Sequence, residues 1–480
     1  MRSSDVKHFV AFRWCFTHPL RAILLAIITA VVFFYAGLKW IEFTGRRRLA
    51  AVIAETEREW PRWTIEQLEA GRPKIPDDEN SALVIAEADK LYRSISPSLY
   101  LLDLDLQHPD GLNRRHPDNK LAEIEAAIAP YKPVYEKLLK LKGMPRGHWP
   151  VHHEANSFDT NDDHVGVIQN CSWVLLDTAE ADLHRGRTSK ALDAMASLFN
   201  LGDSLREEPL EFSPSSRFHM HERALWILHR YLAMSWSNER ELRSILSMVD
   251  AHHDRSALRD DLECIRAARH TVFNDIEVHG ILPSNTLGDP PFSPKQLKHI
   301  YWYFIFSDHA TYLAHMNQAV KLAELPSHEQ VRALRQLAEA TEREALLGPY
   351  FYRNVFTMQL RADLPALAVR TLRMHAHMEL ARIAIAAEHF YLDQGRWPHA
   401  LVDLVPEYLA QVPVDPLSGQ SFLWIAHPSG RIVYSPGIDG RDDRGQPETW
   451  YVRYGEASDD LSFWLYDRDQ RGLPAKVVMP

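Results

Sequence analysis

Two stretches of this chain combine residue types that could do chemistry. Residues 434–445, YSPGIDGRDDRG, set Asp439, Asp442 and Asp443 among Gly437, Gly440 and Gly445. Calcium takes six to eight oxygen ligands, which short Asp side chains and turn carbonyls supply where glycines let the chain wrap around the ion. Ser435, Asp439, Asp442 and Asp443 are therefore candidate calcium ligands, with the ion serving shape and not catalysis. An Asp-Gly turn between strands explains the same residues without an ion.

The second stretch, HWPVHHEANSFDTNDDH at 148–164, holds His148, His152, His153, Glu154, Asp159, Asp162, Asp163 and His164. Imidazoles and carboxylates form the ligand set of zinc and iron hydrolases, so His152, His153, Asp162, Asp163 and His164 make an alternative metal set. No HExxH spacing occurs, and adjacent His152 and His153 point apart on either a helix or a strand. A polar loop ahead of a helix is the simpler account. Three more clusters raise the same question: His219, His221 and Glu222; His252, His253 and Asp254; His375, His377 and Glu379. Residues two apart on a helix do not share a face, so these read as surface or helix-terminal histidines, and convergence of distant pairs is left to the fold. No phosphate loop, dinucleotide fingerprint, GxSxG elbow or kinase signature is present.

The elements that position these residues belong to a folded chain of 480 residues, 46% hydrophobic and 25% charged, long enough for two or three domains. Its formal charge of −10 and lack of a basic stripe exclude a nucleic-acid binder. The three cysteines, Cys15, Cys171 and Cys264, lack CxxC spacing and allow one bridge at most, between Cys171 and Cys264.

From 22 to 41 the sequence AILLAIITAVVFFYAGLKWI carries a single charge, Lys39. About 20 helical residues span roughly 30 Å, the thickness of a hydrocarbon core. WIEFTGRRR offers no small-residue cleavage site, which favours a retained anchor over a signal peptide. Basic residues flank the span almost equally, Arg2, Lys7, Arg13 and Arg21 before it and Lys39, Arg46, Arg47 and Arg48 after it. A short tail with a long folded part after the span fits a signal anchor that places the bulk outside the cytoplasm.

A separate polar helix around RRRLAAVIAETEREW follows, then a linker rich in Pro and acidic residues. From there to about 392 the periodicity is helical. Around Gly186, the repeats Trp173, Leu176, Ala179, Leu183 and Leu192, Met195, Leu198, Phe199 predict an antiparallel hairpin with Thr188 or Ser189 as cap. Further helices are predicted at 218–235, 238–250, 256–278, 293–323 and 327–345, with a boundary at 281–294. A long helix with one apolar stripe through Ala376, Leu380, Ile383, Ala387 and Phe390 ends at Gly395. Beyond it, HALVDLVPEYLAQVPVDP predicts a short helix and turn, SFLWIA and RIVYS a β-hairpin, and TWYVRY and LSFWLYD further strands.

The expected architecture is mainly α, with helical hairpins in an irregular bundle or solenoid-like array, one N-terminal transmembrane helix and a small C-terminal α+β domain. Its divisions are a tail at 1–21, the span at 22–41, a membrane-proximal helix and linker at 42–80, a helical domain at 81–282, a second helical segment at 283–374 and the α+β domain at 375–480.

The C-terminal order resembles the globular part of the major pseudopilins of type II secretion systems. Tyr391, Asp393, Gly395, Arg396, Trp397 and Pro398 match one family segment. Val412, Pro413, Asp415 and Pro416 match a second, and Ser435, Gly437, Asp439 and Gly440 match the calcium-holding loop. The likeness covers about 375–470, implies calcium in that loop, and lacks the family's N-terminal processing motif and directly continuous helix. The whole chain also resembles a group of membrane-anchored, largely helical bacterial proteins of unknown function common in planctomycetes, through its anchor, the IPDDEN segment at 75–80, the GR-containing hairpin and the ending. The expected role is a non-enzymatic, single-pass envelope protein that binds a protein or peptide partner; the alternative is a membrane-tethered metal-dependent hydrolase using the 148–164 cluster.

Overall fold

The computed structural model describes residues 19–95, 112–154, 160–211, 213–254, 256–279, 301–346, 354–445 and 460–474. The expected strand TWYVRY, the boundary at 281–294, the start of the helix expected at 293, Asp159 and Cys15 lie outside them. The chain divides into two compact units, one of Met1–Pro61, Val272–His315 and Thr341–Arg361, the other of Arg62–Thr271, Met316–Ala340 and Ala362–Pro480.

In the first unit, helix α1 runs unbroken over Pro19–Glu59. The expected anchor and polar helix are thus one element, because no Pro interrupts 20–59 and Gly45 is tolerated within a helix. Gly45 has a packing reason. A Cβ there would meet the Ser307 backbone nitrogen at 3.0 Å and Phe306 Cβ at 3.3 Å. That closeness lets the Arg46 guanidinium lie 3.6 Å above the Phe306 ring.

The second unit is built from helices α2 (Ile65–Ala70), α3 (Ser81–Arg93), α4 (Asp118–Ile128), α5 (Lys132–Leu138), α6 (Asp163–His184), α7 (Thr188–Asp203), α8 (Ser213–Met234) and α9 (Glu239–His252). Next come α10 (Ala257–His279), α11 (Ile305–Leu322), α12 (Ser327–Leu346), α13 (Val355–Gln359) and α14 (Leu364–Gln394). Of these, α13 lies in the first unit, and the unit boundaries fall within α10, α11 and α12.

The predicted hairpin is α6 and α7. Gly186 turns it at φ +72°, a conformation that suits a residue without Cβ. Arg187, not Thr188 or Ser189, takes the cap position. Its backbone N–H donates to the Asp182 carbonyl at 2.8 Å and its guanidinium to the Asp182 carboxylate at 2.5 Å. That double tie replaces a hydroxyl cap.

Helices α6, α7 and α8 pack mutually, and α14 packs against α8, α9 and the C-terminal sheet. The expected single apolar stripe of α14 is a correction: residues on every side of it are buried, including His375, His377, Glu379 and Glu388. A helix buried all round needs neighbours for its polar groups, and Glu388 has one in Arg471 at 2.7 Å. Gly395 ends α14 in the left-handed conformation at φ 66°, as expected.

The segment after α14 makes only a 3₁₀ turn at Leu401–Leu404. Then β1 (Leu423–His427), β2 (Gly430–Ser435) and β3 (Leu461–Tyr466) form an antiparallel sheet in the order β1-β2-β3. All of β3 is buried. Cys171 and Cys264 are buried free thiols, so the possible bridge is not formed.

Candidate functional site

In the 434–445 loop the acidic side chains serve the loop's own backbone. Asp439 Oδ1 accepts the Arg441 N–H at 3.1 Å, and Asp442 Oδ1 accepts the Arg444 N–H at 2.8 Å and the Tyr434 hydroxyl at 3.0 Å. Asp443 lies 3.3 Å from the Arg441 guanidinium. Ser435 donates to Asp415 at 2.8 Å and accepts the Gly437 N–H at 3.1 Å. Gly437, Gly440 and Gly445 hold positive φ, and so does Arg444.

Two carboxylates outside the candidate ligand set belong to this neighbourhood. Asp415 is buried and accepts from Leu417 and Ser418 as well as Ser435. Asp460, just before β3, accepts the Gly445 N–H at 2.6 Å through Oδ2, and its buried Oδ1 has no hydrogen-bond partner among the described residues. Burial, with Asp442 and Asp443 nearby, raises the Asp460 carboxyl above its usual range. Asp415 was legible in the VPVDP match. Asp460 carried no local signal.

The 148–164 set disperses. His153 pairs with Glu69 at 3.4 Å, and His164 with the buried Glu208 at 2.8 Å. Asp163 bonds Asn161, Asp162 precedes α6, and His152 is exposed. What this segment does is tie elements together. Asn80 Oδ1 accepts the His148 N–H at 2.9 Å, the Ser81 N–H donates to the Arg146 carbonyl at 3.0 Å, and Trp149 Nε1 donates to Ser204 at 3.4 Å. The IPDDEN segment thus meets residues 146–149 at the C-terminal end of α7.

Asp203 is the last residue of α7, and two of the histidines expected at the surface or at helix ends converge on it; His252 does end α9, whereas His221 is buried within α8, against that expectation. His221 Nε2 lies 3.1 Å from Oδ1 and His252 Nδ1 lies 2.7 Å from Oδ2. Relative exposures are 3%, 1% and 7% for Asp203, His221 and His252. The surface expectation is corrected likewise for His375 and His377, both buried on α14. Single-helix spacing missed the set because its members come from α7, α8 and the end of α9.

Phe199 stacks on His252 at 4.7 Å and 8° and meets His221 edge-on at 5.4 Å. Arg206 reaches Asp203 Oδ2 at 3.0 Å from the exposed side. Burial alone would raise the Asp203 carboxyl, but hydrogen bonds from His221 and His252 outweigh it and hold the group well below the usual carboxylate range. Burial pushes the His221 imidazole down to about 4, against the pull of Asp203. A neutral imidazole beside an ionised carboxylate can accept a metal ion or hold a rigid hydrogen-bonded bridge between helices.

Among the described residues this is the group of three or more metal-ligating side chains whose ligand atoms draw together. Comparisons with protein-family models, curated proteins and solved structures find no match.

Proposed function

We propose that this chain is a single-pass, membrane-anchored envelope protein whose folded part lies outside the cytoplasm and has a structural or protein-binding role rather than an enzymatic one. The observation that supports it most is α1, one helix long and apolar enough to cross a membrane. Its first half presents apolar side chains outward, with Ile28 50% and Phe33 74% exposed. Large exposed apolar groups of this density are costly in water and suited to lipid. At 41 residues α1 is roughly 60 Å long, about twice a hydrocarbon core, so its polar second half would project from the bilayer. Tyr303 lies edge-on to Tyr35 at 6.4 Å and beneath the Lys39 ammonium at 5.3 Å, an aromatic and basic pairing suited to the headgroup level.

The pseudopilin likeness of 375–470 and calcium in the 434–445 loop belong to the same reading, with calcium stabilising the C-terminal cap. The buried Asp460 carboxylate, with Asp442 and Asp443 beside it and Oδ1 unpartnered among the described residues, supports an added cation there.

The test is carried out on the intact chain in its native membranes. Alkaline extraction should leave it in the membrane pellet, and deletion of 19–41 should release it. Added protease should digest the folded part from outside the cytoplasmic membrane. Crosslinking in intact membranes should recover a specific protein partner, lost when 45–480 is deleted. Release of the intact chain by alkali refutes anchoring, protection from outside protease refutes the orientation, and failure to recover any specific partner refutes the binding role.

A further inference from the structure

We propose that Asp203, His221 and His252 bind one divalent transition-metal ion, zinc by preference, that fastens the C-terminal ends of α7 and α9 to the side of α8. The site is independent of the membrane and calcium readings above.

The donor set is the first argument. Two borderline imidazoles joined to one carboxylate suit zinc or a neighbouring transition metal better than magnesium or calcium, which prefer oxygen throughout. The three ligand atoms all lie within 4.8 Å of one another. Zinc held tetrahedrally at about 2.0–2.1 Å separates its ligands by roughly 3.3 Å. The 3.1 Å between His221 Nε2 and Asp203 Oδ1 already fits that spacing. His252 Nδ1, 2.7 Å from Oδ2, completes the set within the same 4.8 Å.

Position is the second argument. Asp203 and His252 are the final residues of their helices. A helix C-terminus carries partial negative charge from its free carbonyls and favours a cation. Two such ends meet at one buried carboxylate, which Arg206 contacts from one side while Arg217 acts electrostatically on His221. With Oδ1 on the metal, Oδ2 keeps Arg206 as the outer partner that orients the carboxylate.

Preorganisation is the third. Phe199 fixes both imidazole planes, and the absence of a side chain at Gly202 lets α7 and α8 approach closely enough for the contact. The three ligands come from three helices, so one ion bound by them ties α7, α8 and α9 together while its fourth position stays open to water.

The full-length chain, purified in detergent, should contain about one zinc per chain by elemental analysis. After chelator treatment, cobalt should restore one equivalent with the intense visible absorption of a tetrahedral site. His252→Ala should lose both signals, while His252→Cys, which restores a metal donor, should keep cobalt binding with an added thiolate charge-transfer band. His153→Ala and Asp439→Ala should leave stoichiometry unchanged. A folded wild-type chain that holds no zinc and gives no tetrahedral cobalt spectrum overturns the proposal, and so does stoichiometric binding that survives His252→Ala. Because the wild-type measurement decides on its own, poor folding of a variant leaves the proposal fully exposed to refutation.

Discussion

Gly202 lies against His221 so closely that a Cβ at residue 202 would stand 3.0 Å from His221 Cδ2, and equally 3.0 Å from the Arg217 carbonyl oxygen and Met220 Cβ. Backbone and a helix-facing methylene cannot swing away, so a larger residue must part α7 from α8. Gly202→Val should destabilise the chain by about 1–3 kcal/mol, the usual range for overpacking a filled interior. It should also weaken metal uptake by displacing His221 from Asp203. Denaturant melts and cobalt titration of the same protein measure the two effects.

His229 joins α8 to the sheet. Its Nε2 accepts the Trp464 backbone N–H at 2.9 Å, and its ring stacks on Phe463 at 4.3 Å. Burial pushes this imidazole down to about 3. The unfolded chain therefore binds a proton near the ordinary histidine value of about 6.5 that the folded chain refuses. Stability from this group is complete above that value and falls as pH drops from there toward 3. Linkage gives about 2 kcal/mol lost at pH 5. His229→Asn should make the pH dependence of unfolding between 6.5 and 4 shallower by about one proton, as denaturant midpoints across that range would show.

Asp308 is a buried carboxylate that caps α13 in the first unit. It accepts the backbone N–H of Phe356 at 2.7 Å and of Thr357 at 3.0 Å, with the Thr357 hydroxyl at 2.5 Å and the Tyr301 hydroxyl as further donors. Removing it strands several buried donors at once. Asp308→Ala should cost about 3 kcal/mol, and amide exchange at 356 and 357 should change from protected to fast. Unchanged protection would mean that α13 is held by its apolar contacts alone.

Calcium gives the C-terminal cap its own test. If the loop at 434–445 holds the ion, calcium should raise the melting temperature above that in chelator, by roughly 1–2 °C for each kcal/mol gained. Magnesium should do less, because it gives up its water reluctantly. Asp439→Ala should abolish the rise, and Asp460→Asn should reduce it. A rise that is indifferent to both substitutions would assign the calcium effect elsewhere.

Local sequence carried much of the architecture. The uncharged run after Ala22, the hairpin turning at Gly186, the left-handed stop at Gly395 and the alternation around HPSG each depend on a few neighbouring residues, and each has its element in the structure. Hydrogen bonding within helices and tight turns is settled over four or five residues, so short-range pattern is enough to read it.

Long-range packing settles which polar side chains are inside and whom they meet. His221 and His252 stand in separate clusters whose local spacing argues against chelation, yet they close on Asp203 from 18 and 49 residues away. The acidic and histidine-rich stretch at 148–164, the more suggestive to the eye, is parted among Glu69, Glu208 and the backbone. Helix packing sets these meetings through the crossing of α7, α8 and α9 and one missing Cβ at Gly202. Such long-range geometry leaves no periodic trace in the sequence, because it is the sum of many small van der Waals fits rather than of any one local preference.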